Sequence, residues 1–266
     1  MKSASVLAIG LSLITATGKA HDTWVQTNTQ LVRTGDGVFI DLMLGNHGND
    51  HRDYKLAGKI GLEGLKLTVH GPAQQSHDLL SQLVDTGYAL KEGFWTTRYR
   101  TSDPGLYLVE QTLNKIVTHG KPIRAVKSAK TFFVAATHLD KVPHEHPGFD
   151  RVLGHPLEIV PEANPVTPMG PDTPIRIKVL FHGQPLAKAR VSFIPRGTTL
   201  SEGFDETYER RTNENGRCAF TPKEGNYYLV IVHHEAAEEQ SEEYEATHYA
   251  ATLTVLVPDL CPCCGE

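Results

Sequence analysis

Residues 174–195 read PIRIKVLFHGQPLAKARVSFIP, and this stretch decides the fold. Residues 174–181 predict a strand, and HGQP (182–185) predicts a turn. Residues 188–195 predict a returning strand in which Ala189, Val191 and Phe193 alternate with polar neighbours. Further toward the C-terminus, YERRT (208–212) and RCAFTP (217–222) flank the turn NENG, and GNYYLVIVHH (225–234) and HYAATLTVLV (248–257) complete the set. Short strands at this spacing predict a small antiparallel sandwich. Residues 235–247, EAAEEQSEEYEAT, form an acidic insert expected to be solvated.

The first half reads the same way. Strands are predicted over 37–45, 65–70, 94–100, 106–112 and 131–136, punctuated by Asp36-Gly37, Gly71-Pro72 and Ser102-Asp103-Pro104-Gly105. Only HDLLSQLV (77–84) has helical spacing, and it is short. Residues 138–156 break the pattern with three prolines, two glycines and four histidines, as a linker would. The expected fold is therefore all-β, with two antiparallel immunoglobulin-like sandwiches in tandem over 21–137 and 157–258. A cysteine-rich tail follows at 259–266.

Residues 1–20 read as a secretory signal. Lys2 gives a positive start, residues 6–16 are mostly apolar and too few to span a bilayer, and Gly18 and Ala20 put small residues before a cut. The mature chain would begin at His21, in a periplasmic or otherwise exported compartment. Cleavage removes Lys2 and Lys19, so the formal net charge moves from −5 to −7. A mildly acidic chain makes nucleic acid an unsuitable partner. Scarce methionine, only Met43 and Met169 beyond the signal, disfavours a thioether copper(I) carrier.

Histidine is the informative residue, with 14 in the chain, all from His21 onward. An N-terminal histidine offers an amine and an imidazole together. His47 and His51 follow a predicted strand in GNHGNDHRD, where a sandwich presents functional side chains. The leading site combines His21 with His47 and His51. A second cluster is His233-His234 with His248, at the two neighbouring ends of a hairpin; successive strand residues face opposite sides, so His233 and His234 cannot both serve it within a strand. A third is His138, His144, His146 and His155, with His144-x-His146 as a chelate. The alternative to each is plain: exposed loop histidines, a polar hairpin end and a solvated linker. Imidazole suits nickel, cobalt, copper and zinc alike, and binding should weaken below about pH 6 as the rings protonate.

No G-x-S-x-G elbow, phosphate loop or H-E-x-x-H is present, so no catalytic residue is assigned and an enzyme is not expected. CPCCGE has no partner C-x-x-C, which leaves a zinc ribbon unsupported. The thiols Cys261, Cys263 and Cys264 read as a soft-metal or cross-linking cluster, or as a disordered terminus. Cys218 is assigned no role, and Trp24 and Trp95 read as core or edge aromatics.

AHDTWVQ after a signal resembles the AHDFW opening of an exported bacterial family, domain of unknown function 4198. Residues 155–193, HPLEIVPEANPVTPMGPDTPIRIKVLFHGQPLAKARVSF, are similar to its second-domain signature, and RTNENGRCAFTP and GNYYLVIVH continue it. His21, Asp22 and Trp24 match the opening, while Thr23 replaces the usual aromatic, and the CPCCGE tail lies outside the pattern. The second half also resembles carboxypeptidase-regulatory or transthyretin-like sandwiches. The resemblance implies an extracytoplasmic accessory protein of the NikK kind, serving nickel or cobalt uptake and handing its ion to a membrane transporter component. Two rivals stay open. One is a histidine-brace copper protein or mono-oxygenase-like enzyme, and the other a metal-free adhesion or carbohydrate-binding module.

Overall fold

Alternating apolar residues and closely spaced turns leave the chain little choice but strands, and nearly every described residue in regular structure is in one. The computed structural model describes residues 21–45, 52–119 and 121–259. In chain order the strands of the first half are β1 (Asp22–Thr27), β2 (Leu31–Arg33), β3 (Gly37–Gly45), β4 (Leu56–Gly58), β5 (Leu65–His70), β6 (Ser76–Asp78), β7 (Val84–Asp85), β8 (Trp95–Arg100), β9 (Gly105–His119) and β10 (Lys121–Ala136). The second half adds β11 (Leu157–Pro161), β12 (Ile175–Phe181), β13 (Gln184–Pro185), β14 (Arg190–Pro195), β15 (Glu209–Arg211), β16 (Arg217–Phe220), β17 (Asn226–Ala236) and β18 (Thr247–Val257). The helical spacing of 77–84 yields a single 3₁₀ turn at Leu80–Gln82 between two short strands. The segment is too short and too exposed for a helix to be stabilised by packing.

Among the described residues three sheets form. A five-stranded sheet runs β1-β3-β8-β7 with β4 on β3. A four-stranded sheet runs β11-β12-β13 with β16 on β12. The third is nine-stranded, β15-β14-β17-β18-β10-β9-β5-β6, with β2 also on β10. This sheet draws on both halves of the chain. Its seam is the parallel pairing of β10 with β18, where Arg124 to Thr131 run beside Thr247 to Thr254. The other ladders within it are antiparallel, β2 on β10 excepted.

The two faces of the nine-stranded sheet are both covered. Odd-numbered residues of β9 and β10, such as Tyr107, Val109, Ala129 and Phe133, pack with Val25, Val38, Ile40 and Leu42 of the five-stranded sheet. Even-numbered residues of the same strands, Leu106, Leu108, Phe132 and Val134, join a second core with Leu157, Ile159, Ile175, Ile177 and Val179 of the four-stranded sheet. The fold is thus two immunoglobulin- or fibronectin-like sandwiches that share their middle layer. Burial on both faces explains why NYYLVIV in β17 is continuously apolar rather than alternating. Tyr107 fixes the entry to β9: its hydroxyl accepts the Asp103 N–H at 3.0 Å and donates to the Asp103 carbonyl at 2.8 Å, while its ring stacks on Phe133.

Candidate functional site

β1 decides where the residues next to His21 lie. It pairs antiparallel with β3, Asp22 opposite Gly45 and Trp24 opposite Met43. It also lies across the central sheet: Thr23 Oγ1 donates to Gln111 Oε1 of β9 at 2.8 Å, and Thr252 Oγ1 of β18 donates to the Thr23 carbonyl at 2.9 Å. Trp24 is buried against Tyr54, Ile194, Leu229 and Ile231, so the aromatic of the opening motif joins the two halves of the chain. Gly45 is required beside it. A Cβ there would sit 2.1 Å from the Lys55 carbonyl oxygen and 2.4 Å from the Trp24 ring.

The strand ends at a carboxylate. Asp22 is fully buried, and its Oδ1 lies 2.8 Å from His233 Nε2 on β17. A carboxylate can only accept, so His233 donates from Nε2 and presents Nδ1 elsewhere. The His233 side chain is about half exposed (47 %). Asp22 therefore holds and orients an imidazole from the far half of the chain, next in sequence to His21.

His47 and His51 lie outside the described residues. The stems on either side of them are anchored, however. Gly45 closes on Trp24, and Arg52 is buried and bidentate to Glu209, at 3.1 Å for each nitrogen. Asp53 bridges to Thr199. Both stems therefore start from fixed points near the N-terminal strand and the second half.

The hairpin histidines divide as the strand geometry requires. In the β17–β18 ladder His233 pairs with Ala250, His234 with Tyr249 and Glu235 with His248. His233 and His248 share the face toward β1, on the diagonal of the ladder. His248 is 3.8 Å from Glu235. His234 turns to the other face and packs against Phe181, with ring centroids 4.2 Å apart, and close to Tyr249. It is a packing residue and does not join His233. Of the six predicted ligands the structure thus brings His21 and His233 to one edge, sets His248 beside them on the same face and removes His234. Among the described residues no three His, Cys, Asp or Glu side chains form a metal-holding group. The described donors alone do not fit a complete ion site.

The remaining histidines are accounted for differently. His155 Nε2 and His70 Nε2 each lie 2.6 Å from a different oxygen of Glu110. Burial opposes ionisation of Glu110, but these two contacts outweigh it and hold the carboxyl well below the usual carboxylate range. His144 is exposed and His146 buried, so the two do not present a common chelating side. Glu158 is buried, accepts the N–H groups of Leu153, Gly154 and His155, and pairs with buried Lys130. Cys218 is half-buried and its thiol is pushed up to about 12 by burial, which makes it inert. Cys261, Cys263 and Cys264 lie outside the described residues.

Sequence reasoning missed a set of lysines. A cavity of about 630 Å³ opens between the five-stranded sheet and the central sheet, and Lys59, Lys91, Lys115 and Lys127 line it with His21 and Trp95. Lys127 is buried in β10, and burial pushes its ammonium down to about 8. Asp22 opposes that shift and Lys115 reinforces it. The signal was available: a lysine inside a strand flanked by Ala125 and Ala129 is out of place on a core face.

The fold and this edge define an all-β scaffold of immunoglobulin and fibronectin character, with its candidate chemistry at the start of the first strand. Residues 18–236 match the family described as Domain of unknown function (DUF4198), and the chain belongs to it. No curated protein matches the chain. Among solved structures it is similar to a Salmonella alpha-2-macroglobulin mutant at 14 % identity and a TM-score of 0.26, over 91 % of this chain and 15 % of that one. It is similar to a DUF4785 family protein from Legionella pneumophila at 14 % identity and a TM-score of 0.27, over 78 % and 52 % respectively. The fibronectin(III)-like modules of Clostridium thermocellum CbhA match at 10 % identity and a TM-score of 0.20, over 88 % and 95 %. The chain therefore spans a small part of the first of these proteins and about half of the second.

Proposed function

We propose that the protein is an exported divalent-metal capture protein serving nickel or cobalt acquisition, which passes its ion to a membrane transporter component. The ion is cargo, and no catalytic role is assigned. The observation that carries the proposal is the 2.8 Å contact between buried Asp22 and His233. A histidine that ligates a metal through one ring nitrogen usually donates its other N–H to a carboxylate, which fixes the tautomer and the ring's orientation. Asp22 supplies that carboxylate from the residue next to His21. His21 would contribute its imidazole and, after cleavage, its α-amine, while His47 and His51 are the proposed completing donors. Imidazole nitrogen with an amine suits nickel, cobalt, copper or zinc, with nickel or cobalt favoured by the family resemblance.

Calorimetric titration of nickel into protein whose mature mass begins at His21 tests this. Tight binding is expected, weakened at least ~10-fold by either His21→Ala or His233→Ala. Absence of binding, or binding indifferent to both substitutions, overturns the proposal.

A further inference from the structure

The lysine-lined cavity adjoins the proposed metal site at His21, which lines it, but the chemistry of its lysines is of the opposite sign. Lys127 is 7 % exposed and lines the cavity. It lies on the cavity side of the central sheet. The register places Lys127 beside Leu113 of β9 and Lys115 beside Ala125 of β10, so both lysines share one face, and each acts electrostatically on that space. Asp22, the acidic group that acts on Lys127, is already engaged by His233. Lys91 is on the rim contributed by the loop before β8 and has no acidic partner among the described residues. Lys59 is neutralised by Asp85 and sits 5.3 Å from the centre of the Trp95 ring, so it is not counted as free charge.

Apart from His21, the rest of the wall is largely apolar and includes Leu44, Ile60, Trp95, Leu113 and Val117. Trp95 is held in place by its Nε1–H donating to the Ile60 carbonyl at 2.7 Å. A buried ammonium is costly, and two lysines facing one space add repulsion. An apolar chamber of small-molecule size with a few convergent charges is the usual form of a ligand pocket. We propose that this cavity binds a small organic anion, its carboxylate paired with Lys127 and Lys115 and its apolar body against Trp95 and Leu113. A carboxylate would add counter-charge where Lys127 and Lys115 converge, and the aromatic wall would select against bare inorganic anions. The downward pull on the Lys127 ammonium agrees with this, since an anion at that position would restore its proton affinity.

The experiment uses the mature protein without a histidine tag, at low salt and pH 7, titrated with 2-naphthoate. Its neutral isostere 2-acetonaphthone and inorganic sulfate serve as comparisons. Naphthoate is expected to bind, with the ketone at least ~10-fold weaker and sulfate weaker still. Lys127→Met is expected to reduce naphthoate affinity by at least ~10-fold, and Lys115→Gln by a smaller factor. Should Lys127→Met fail to fold, the naphthoate-to-ketone ratio in the wild type and the Lys115→Gln result decide the matter. The proposal is overturned if naphthoate does not bind, if the ketone binds equally, if sulfate binds as tightly, or if folded Lys127→Met binds unchanged. Nickel titration is a separate measurement, so either proposal can fail alone.

Discussion

Lys127 is the residue whose environment has the clearest thermodynamic signature. Its ammonium titrates near 10.5 in an unfolded chain and is pushed down to about 8 in the fold, first by burial. Between those values the unfolded chain binds more protons than the native one, so stability rises with pH across that window. Below pH 8 the full penalty is present, about 3 kcal/mol. Lys127→Met, similar in length and uncharged, should therefore stabilise the protein at pH 7 by an amount of that order. The advantage over wild type should shrink as the pH approaches 10. Urea unfolding of both proteins at pH 7 and pH 10 checks this, and a gap that does not change with pH would show that the ammonium is not strained. Asp22 shows the limit of reading residues one at a time. Its place in AHDTW was legible, but its partner His233 is 211 residues away, and no local pattern joins them. His234, one residue further on, was legible as facing away from His233, because alternation in a strand is a purely local rule.

At the scale of the element, β3 and β10 carry the argument. Gly45 ends β3 where Trp24 and the Lys55 carbonyl leave no room for a side chain. Gly45→Ala should destabilise the fold by about 1–3 kcal/mol and shift the tryptophan emission as Trp24 is displaced. Denaturant unfolding with fluorescence detection reads both effects, and unchanged stability would mean that the strand end can relax. The strands were largely legible because turns and alternation are written into the sequence. β10 was legible only over 131–136, whereas it begins at Lys121. Residues 121–130 are rich in lysine and small residues, and what makes them a strand is pairing with the adjoining β9 and with β18, which is far away in sequence. The segment 77–84 failed for the converse reason: its leucines keep helical spacing, but Leu79 is claimed by the core beneath β5, Leu80 and Leu83 only partly pack against it, and the remaining residues are exposed. The cavity lysines were missed because they come from four separate segments and converge only in the fold.

For the whole molecule, the shared central sheet makes the two halves interdependent. A fragment of residues 21–156 would leave β10 without β18 and expose Leu106, Leu108, Phe132 and Val134, which the second half helps to cover. Such a fragment should associate and show no cooperative thermal transition, while residues 21–259 unfold in one step. Size-exclusion chromatography and calorimetry compare the two, and a monomeric, cooperatively melting fragment would contradict that dependence. Two sandwiches were legible from strand spacing, but their common layer was not, since parallel pairing between β10 and β18 joins segments 123 residues apart, as Arg124 and Thr247 show. That pairing also sets a timetable. β18 is the C-terminal-most of the described strands, yet it occupies the middle of the sheet, between β17 and β10. Until β18 joins, β10 and β17 lack the strand that lies between them, and the native sheet closes only when it is in place.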